Sequence, residues 1–124
     1  MFEGLLVRVS IEKDIFVDGD SHYLEQAIKN YVMNAVSHTP TGGHISISLY
    51  RQGDKALFSV FNEGDHISQD DMVHIWESFY KTDKSRVRME ESHYGLGLYI
   101  VKTIISAHGG EYGMRNTEKG VEFW

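Results

Sequence analysis

The sequence of 124 residues contains no cysteine and a single proline, Pro40. The lack of cysteine excludes disulfide scaffolds, thiolate metal sites and cysteine nucleophiles. Basic residues are also few, since 12 Lys and Arg oppose 18 Asp and Glu and leave a net charge of −6. Nucleic-acid binding relies on basic side chains that neutralise phosphates, so we expect no nucleic-acid partner. No apolar run approaches the roughly 18 residues of a membrane span, and we expect no membrane contact by this domain.

The composition, with 41% hydrophobic and 24% charged residues, is that of one globular domain. Alternating apolar and polar residues predict strands, and a 3.6-residue period predicts helices. The predicted strands are 7–11, 14–17 as its partner or continuation, a hairpin over 45–61 and two short strands over 112–124. The predicted helices are 21–38 with Ser21 as the N-cap, 69–79 started by Ser68, and 95–108. This order predicts an α+β fold in which helices cover one face of a mixed, mostly antiparallel sheet.

Two asparagines stand out in the first predicted helix. Asn30 and Asn34 are four residues apart and therefore stack together on the flank of the apolar stripe. Because asparagine lowers helix stability relative to alanine, the pair suggests a role for the carboxamide oxygens. Such oxygens ligate hard cations such as Mg²⁺ together with phosphate and water. Hydrogen bonds to a neighbouring loop are the other interpretation, and the spacing leaves both open.

Glycines mark the start of the last predicted helix. Gly95 and Gly97 follow a polar segment without periodicity, residues 81–93. Glycines at a helix start let backbone N–H groups approach an anion, although turns without a ligand use them too. The polar segment suits a lid over a polyphosphate or a solvated charged run, and its basic residues are Lys81, Lys84, Arg86 and Arg88.

A third polar group follows the predicted strand that ends at Phe61. Asn62, Glu63 and Gly64 lie where a side chain could read the edge of a planar ring. An unoccupied turn of the same composition is the alternative.

Together and in this order, these features resemble the ATP-binding domain of bacterial sensor histidine kinases in the GHKL ATPase superfamily. Residues 24–40 resemble its N box, 60–64 its first glycine box, 75–81 its F box and 95–98 its second glycine box. The resemblance covers almost the whole chain and extends to the style of vancomycin-resistance sensors. It implies a two-layer α/β sandwich of about five strands and three helices, with a mobile ATP lid.

The resemblance also implies ATP and Mg²⁺ as cofactors. Asn34 is implied to hold Mg²⁺ with Asn30 in support, and no certain catalytic residue lies in the chain because the acceptor histidine is expected elsewhere. The residues implied to bind the nucleotide are Asn30, Asn34, Ser37, His38, Asn62, Gly64, Ile67, Phe79, Lys81, Arg86, Gly95, Leu96, Gly97 and Leu98.

Three positions depart from the family pattern. Asn62 stands where an aspartate usually accepts a hydrogen bond from the adenine amino group, and an amide oxygen accepts it less strongly. His66 replaces a glycine, which predicts a stiffer or differently shaped turn beneath the adenine. Ser37 stands where many members carry a basic residue near the phosphates. The residues expected to compensate are Lys81, Arg86 or Arg88.

The expected chemistry needs another domain. Asn30 stands where related fast ATPases are implied to carry a glutamate base, so we expect slow hydrolysis. None of the seven histidines is followed by an acidic residue and a nearby proline, the setting of the family's phosphoacceptor. We therefore expect residues 1–124 to be a single catalytic and ATP-binding domain, excised from a kinase without its dimerisation and sensor domains.

The function that follows from the resemblance is transfer of the γ-phosphoryl group of Mg-ATP to a histidine in two-component signal transduction. The expected partners are the histidine-containing dimerisation domain of the same kinase and a downstream response regulator. The expected location is the cytoplasm, as part of a membrane-anchored sensor. The alternatives are a GHKL-type serine kinase, an ATP-dependent regulatory switch and a weakly binding pseudokinase that acts as an interaction module.

Overall fold

The structure, a computed structural model, describes residues 4–80 and 97–124. The predictions for Lys81, Arg86, Gly95, Leu96 and the polar segment lie outside the described residues. The elements in chain order are β1 (Leu6–Ile11), α1 (Ser21–His38), β2 (His44–Gln52), β3 (Lys55–Glu63), α2 (Gln69–Met72), α3 (Gly97–Ala107), β4 (Met114–Asn116) and β5 (Gly120–Phe123).

The five strands of the described residues form one sheet in the order β1-β2-β3-β5-β4. β1 pairs with β2 in parallel, and the other three pairings are antiparallel. The predicted α+β fold with a mixed, mostly antiparallel sheet is therefore confirmed. Among the described residues, no helix is both long and apolar enough to cross a membrane.

The core lies between the sheet and helices α1 and α3, which pack against each other. An aromatic cluster fills one end of it, where the rings of Tyr31 and Trp76 lie 5.6 and 6.0 Å from that of Phe123. The Tyr31 hydroxyl donates to the carbonyl oxygen of Trp124 at 2.8 Å. Burial, and secondarily the nearby Tyr112, raises the pKa of Tyr31 well above its usual range. The buried side of α1 is thus fixed by ring contacts and one buried hydrogen bond.

The start of α1 is held by α3. Asp20 is the N-cap, because its carboxylate accepts the Tyr23 N–H at 3.1 Å, so the prediction of Ser21 as the cap is wrong. The His108 ring just beyond α3 accepts the Asp20 N–H at 3.0 Å. An added Cβ at Gly19 would lie 2.7 Å from that ring, so the histidine packs directly on the backbone before the helix.

Two further predictions of secondary structure are wrong. Residues 14–17 are not a strand, because Asp14 turns the chain with a φ of +58° and its carbonyl oxygen accepts from Arg51 at 3.0 Å. The second helix is also shorter than predicted. α2 ends at Met72, and tighter turns follow, such as the bond from the Glu77 N–H to the His74 oxygen at 2.9 Å. A φ of +64° at Phe79 then breaks the helical path.

Candidate functional site

The two asparagines of α1 have different surroundings. Asn30 is buried, with 9% of its surface exposed, and its amide nitrogen donates to the Gly97 carbonyl oxygen at 3.4 Å. This long hydrogen bond joins the middle of α1 to the first residue of α3. The interpretation as a hydrogen bond to a neighbouring segment therefore applies to Asn30. The interpretation as part of a phosphate and cation site stays open, because Gly97 belongs to the predicted phosphate site.

Asn34 lies one turn further along α1 and is half-buried. Within residues 4–80 and 97–124, its carboxamide makes no hydrogen bond. Its backbone oxygen, in contrast, accepts from the Ser37 hydroxyl at 3.1 Å and lies 2.8 Å from Nδ1 of His38. The carboxamide oxygen is therefore a hard ligand with its acceptor capacity unused by the described residues, which fits Mg²⁺.

The described residues could supply only part of the ligand shell of a cation. Among them, no group of three or more His, Asp or Glu side chains could enclose a metal ion. Mg²⁺ in nucleotide sites takes only one or two protein ligands and completes its shell with phosphate oxygens and water. The single amide oxygen of Asn34 matches that mode of binding better than an all-protein cage.

Asn62 lies near the end of β3 and is almost completely buried, with 2% of its surface exposed. Its amide nitrogen makes one long bond, 3.5 Å, to the Glu63 carbonyl oxygen, and its side-chain oxygen accepts nothing from the described residues. No buried side-chain nitrogen or oxygen atom of the described residues lacks a hydrogen-bond partner, so the unused Asn62 oxygen keeps an accessible edge, where it could accept from a donor on a ligand.

Gly64 joins the end of β3 to the end of α1. Its φ is +149°, and an added Cβ would lie 3.1 Å from the His38 carbonyl oxygen and 3.5 Å from Pro40. Glycine is therefore required here both by backbone conformation and by close packing. The contact brings the Asn62 segment beside the helix that carries Asn34.

The predicted apolar contacts of the nucleotide divide into two groups. Ile67 and Leu98 are half-buried and pack against the core, Leu98 from the first turn of α3. Phe79 is 69% exposed and has a left-handed backbone. Direct contacts join Asn30 to Gly97, Asn34 to Ser37 and His38, and Gly64 to His38. Asn62 is buried, Ile67 and Leu98 pack against the core, and Phe79 lies at the surface.

One residue of this region was missed by sequence reasoning. The Asn116 carboxamide bonds both backbone groups of Ile67, accepting from its N–H and donating to its carbonyl oxygen at 2.9 Å each. His66, identified only as a departure, has its Nε2 2.5 Å from the Thr117 carbonyl oxygen. An asparagine before a predicted turn was the available signal, but its partner lies 49 residues away and no local pattern reveals it.

Comparisons with known proteins identify the family of the chain. The family model described as histidine kinase-, DNA gyrase B-, and HSP90-like ATPase matches residues 19–124. The chain belongs to this ATPase family. The resemblance to GHKL ATPases is therefore confirmed, and the matched residues include every candidate site residue.

Individual relatives are sensor kinases. Sensor protein KdpD of Clostridium acetobutylicum is 34% identical over 120 residues, which are 96% of this chain and 13% of that protein. Sensor protein VanSB of Enterococcus faecalis is 35% identical over 105 residues, which are 85% of this chain and 23% of that protein. The chain thus spans about a quarter or less of the length of these curated relatives.

Solved structures give the same result for the fold. The catalytic domain of histidine kinase ThkA has a TM-score of 0.82 and 29% sequence identity, with 97% of this chain and 76% of that chain covered. ThkA has also been solved in complex with the response regulator protein TrrA, where the likeness has a TM-score of 0.74, 28% identity and covers 94% of this chain and 32% of that one. The fold of this ATPase domain is that of a histidine kinase catalytic domain.

Proposed function

We propose that this domain binds Mg-ATP and transfers its γ-phosphoryl group to a histidine on a separate dimerisation domain. The observation that carries the proposal is the meeting of α1 and α3 at Asn30 and Gly97, next to the unused amide oxygen of Asn34. In a chain of this ATPase family, this contact places α1, which carries the cation ligand Asn34, against the start of α3, whose N–H groups are suited to bind phosphate.

Each side of the site has its own task in this proposal. Asn62 accepts a hydrogen bond from the adenine amino group, and the close approach at Gly64 lets the base lie against the backbone. Ile67 and Leu98 supply apolar contact. The N–H groups at the start of α3 face the phosphates, with Ser37 and His38 at the end of α1 nearby. The contributions of Phe79, Lys81, Arg86, Gly95 and Leu96 stay predictions.

The chemistry needs positioning and charge neutralisation more than covalent help from the protein. Mg²⁺, when bound, offsets the charge of the phosphate oxygens. The acceptor imidazole nitrogen forms the new N–P bond, the bond from the γ-phosphorus to the bridging oxygen breaks, and ADP leaves with that electron pair while the imidazole loses a proton to solvent. Asn30 cannot act as a base, and its amide already bonds the Gly97 oxygen. Attack by water is therefore expected to be slow.

The wider assignment rests on the relatives. We propose that residues 1–124 form one catalytic domain of a longer sensor kinase, whose dimerisation domain supplies the histidine. The complex of ThkA with its response regulator supports a response regulator as the downstream partner. KdpD and VanSB are named sensor proteins, and we propose a cytoplasmic position for this domain within a membrane-anchored sensor.

Calorimetric titration with ATP tests the nucleotide site. The wild-type domain is expected to bind ATP saturably in the presence of Mg²⁺ and much more weakly with EDTA. Asn34→Ala is expected to weaken Mg-ATP binding at least about 30-fold, or about 2 kcal/mol. Its melting temperature should not fall below that of the wild type, because the carboxamide bonds no described residue and alanine favours the helix. Equal ATP affinity with and without Mg²⁺ would remove Asn34 from the cation site.

Phosphotransfer tests the reaction itself. The domain is mixed with a histidine-bearing dimerisation hairpin of a related sensor kinase and ATP labelled at the γ-phosphate. Acid-labile, alkali-stable label on the hairpin is expected, and a hairpin with the histidine replaced by glutamine is the control. Tight ATP binding without phosphohistidine would favour the regulatory switch, and label on serine would favour the serine kinase.

A further inference from the structure

The loop of residues 64–67 is bonded along most of its length to the turn between β4 and β5. The two 2.9 Å bonds of Asn116 to Ile67 use both ends of one carboxamide on the backbone of one residue, as a neighbouring strand would. Next to them lies the contact of His66 Nε2 with the Thr117 oxygen, and the Gly64 N–H donates to the Lys119 oxygen at 3.1 Å. Three of the four loop residues are therefore tied to one turn.

The opposite side of the same loop is closed by α1. Gly64 lies close to the His38 carbonyl oxygen, since an added Cβ would be 3.1 Å from it, and its φ of +149° is one that other residues rarely adopt. The loop is thus held on two sides, by the end of α1 and by the β4–β5 turn. The loop contains Gly64 and Ile67 and follows Asn62 closely in the chain. Its position therefore determines how Gly64 and Ile67 are placed relative to the Asn62 side chain.

Side-chain hydrogen bonds restrict the conformation of this loop. The His66 ring contacts the Thr117 oxygen and so helps to hold the loop against the turn. Ile67 is half-buried, so its backbone groups would be short of partners if the Asn116 carboxamide were removed. The loop would then be free to shift, and Ile67 would move with it.

We propose that Asn116 is a positioning residue for nucleobase recognition: through Ile67 it fixes the 64–67 loop against Asn62, and so sets the preference of the domain for adenine over guanine. This inference rests on the proposed function. Asn116 acts on the base through Ile67, so its effect belongs to the part of the binding free energy that depends on the base, whereas the phosphate contacts lie on α1 and α3.

Calorimetry with ATP and GTP, both with Mg²⁺, measures that part directly. For Asn116→Ala we expect the ATP dissociation constant to rise about 10-fold and that of GTP less than about 3-fold, so that the preference for ATP falls. Asn116→Asp keeps an acceptor for the Ile67 N–H and loses the donor, and we expect an intermediate preference. It also keeps the test open if the alanine variant does not fold. The matched control is Arg115→Ala on the same strand, which removes only an exposed ion pair with Glu122.

Hydrogen exchange of the Ile67 amide supplies a readout without nucleotide. Faster exchange in Asn116→Ala than in Arg115→Ala, together with a lower ATP preference, supports the inference. An equal loss of ATP and GTP affinity overturns it, because a general weakening of the fold would act on both nucleotides alike, and leaves the proposed function standing. A wild-type domain that binds neither nucleotide overturns both.

Discussion

The two sides of the candidate site differ in how the fold uses their polar groups. On the proposed base side, residues 62–67, the backbone is bonded to the β4–β5 turn, and Gly64 packs tightly against the end of α1. On the phosphate side, the Asn34 carboxamide bonds none of the described residues, and no described atom lies within 4 Å of an added Cβ at Gly97. The proposed base side is thus bonded into the fold, whereas the proposed phosphate side has an amide that the described residues leave unused.

This difference separates two kinds of defect. A substitution on the base side should reduce both stability and binding, because the same contacts serve both. A substitution on the phosphate side should reduce binding and spare stability. Pairs of variants, one from each side, can therefore test this difference.

Gly120→Ala should have the largest effect on stability. Gly120 pairs with Glu63 in the sheet, and an added Cβ would overlap the backbone oxygen of Asn62. The strands must separate to admit it, which is expected to cost about 3 kcal/mol. Urea unfolding measures the loss. Gly97→Ala is the matched control from the phosphate side, with unchanged stability and ATP binding weakened about 10-fold. Similar stability losses in the two variants would contradict the comparison.

Asn62→Asp tests the base side through the ligand. A carboxylate accepts the adenine amino group more strongly than an amide, and we expect ATP to bind about 5-fold more tightly. The same charge is poorly solvated at a position with 2% exposure, so the free energy of unfolding should fall by about 1–2 kcal/mol. Calorimetry and urea unfolding of one preparation measure both. Unchanged ATP affinity would show that this side chain does not accept from the base.

The sequence could predict the features with local causes. The hairpin of β2 and β3 and the helix 21–38 follow from periodicity and from turn residues nearby. The predicted cap at Ser21 failed by one residue because the neighbouring Asp20, equally suited to cap a helix, accepts the Tyr23 N–H. The predicted strand over 14–17 failed because the left-handed turn at Asp14 is supported by Arg51 from another strand.

The same division applies to the candidate site. Asn30 and Asn34 were identified because their spacing and the boxes around them are local patterns. The bonds of Asn116 to Ile67 arise from sheet topology and have no local signature. Burial distinguishes Ile67 from Phe79, although both looked alike as apolar residues of the site.

Tyr31→Phe tests the scaffold that both sides share. Loss of the hydroxyl leaves the Trp124 oxygen without its donor, at a cost of about 1 kcal/mol near pH 8. Because burial raises the pKa of Tyr31, the unfolded chain releases this proton above about pH 10 while the folded chain keeps it. Wild-type stability should therefore fall as pH rises above 10, and the advantage over Tyr31→Phe should shrink. Urea unfolding at pH 8 and pH 10.5 measures this, and an advantage that grows with pH would contradict it.

Lys55→Met should have the smallest effect, although it lies on the same strand as Asn62. Lys55 begins β3 and pairs with Glu111 at 2.9 Å, with 64% of its side chain exposed. The hydrogen bond and charge of Glu111 raise the pKa of Lys55, but solvent screens an exposed pair so well that the melting temperature should not change measurably. Glu111→Gln is the control for the same pair. ATP affinity should also stay constant, since Lys55 lies at the far end of the strand from the base side. A lower ATP affinity in Lys55→Met alone would mean that β3 transmits changes along its length, and the base side would then depend on the hairpin as well as on the β4–β5 turn.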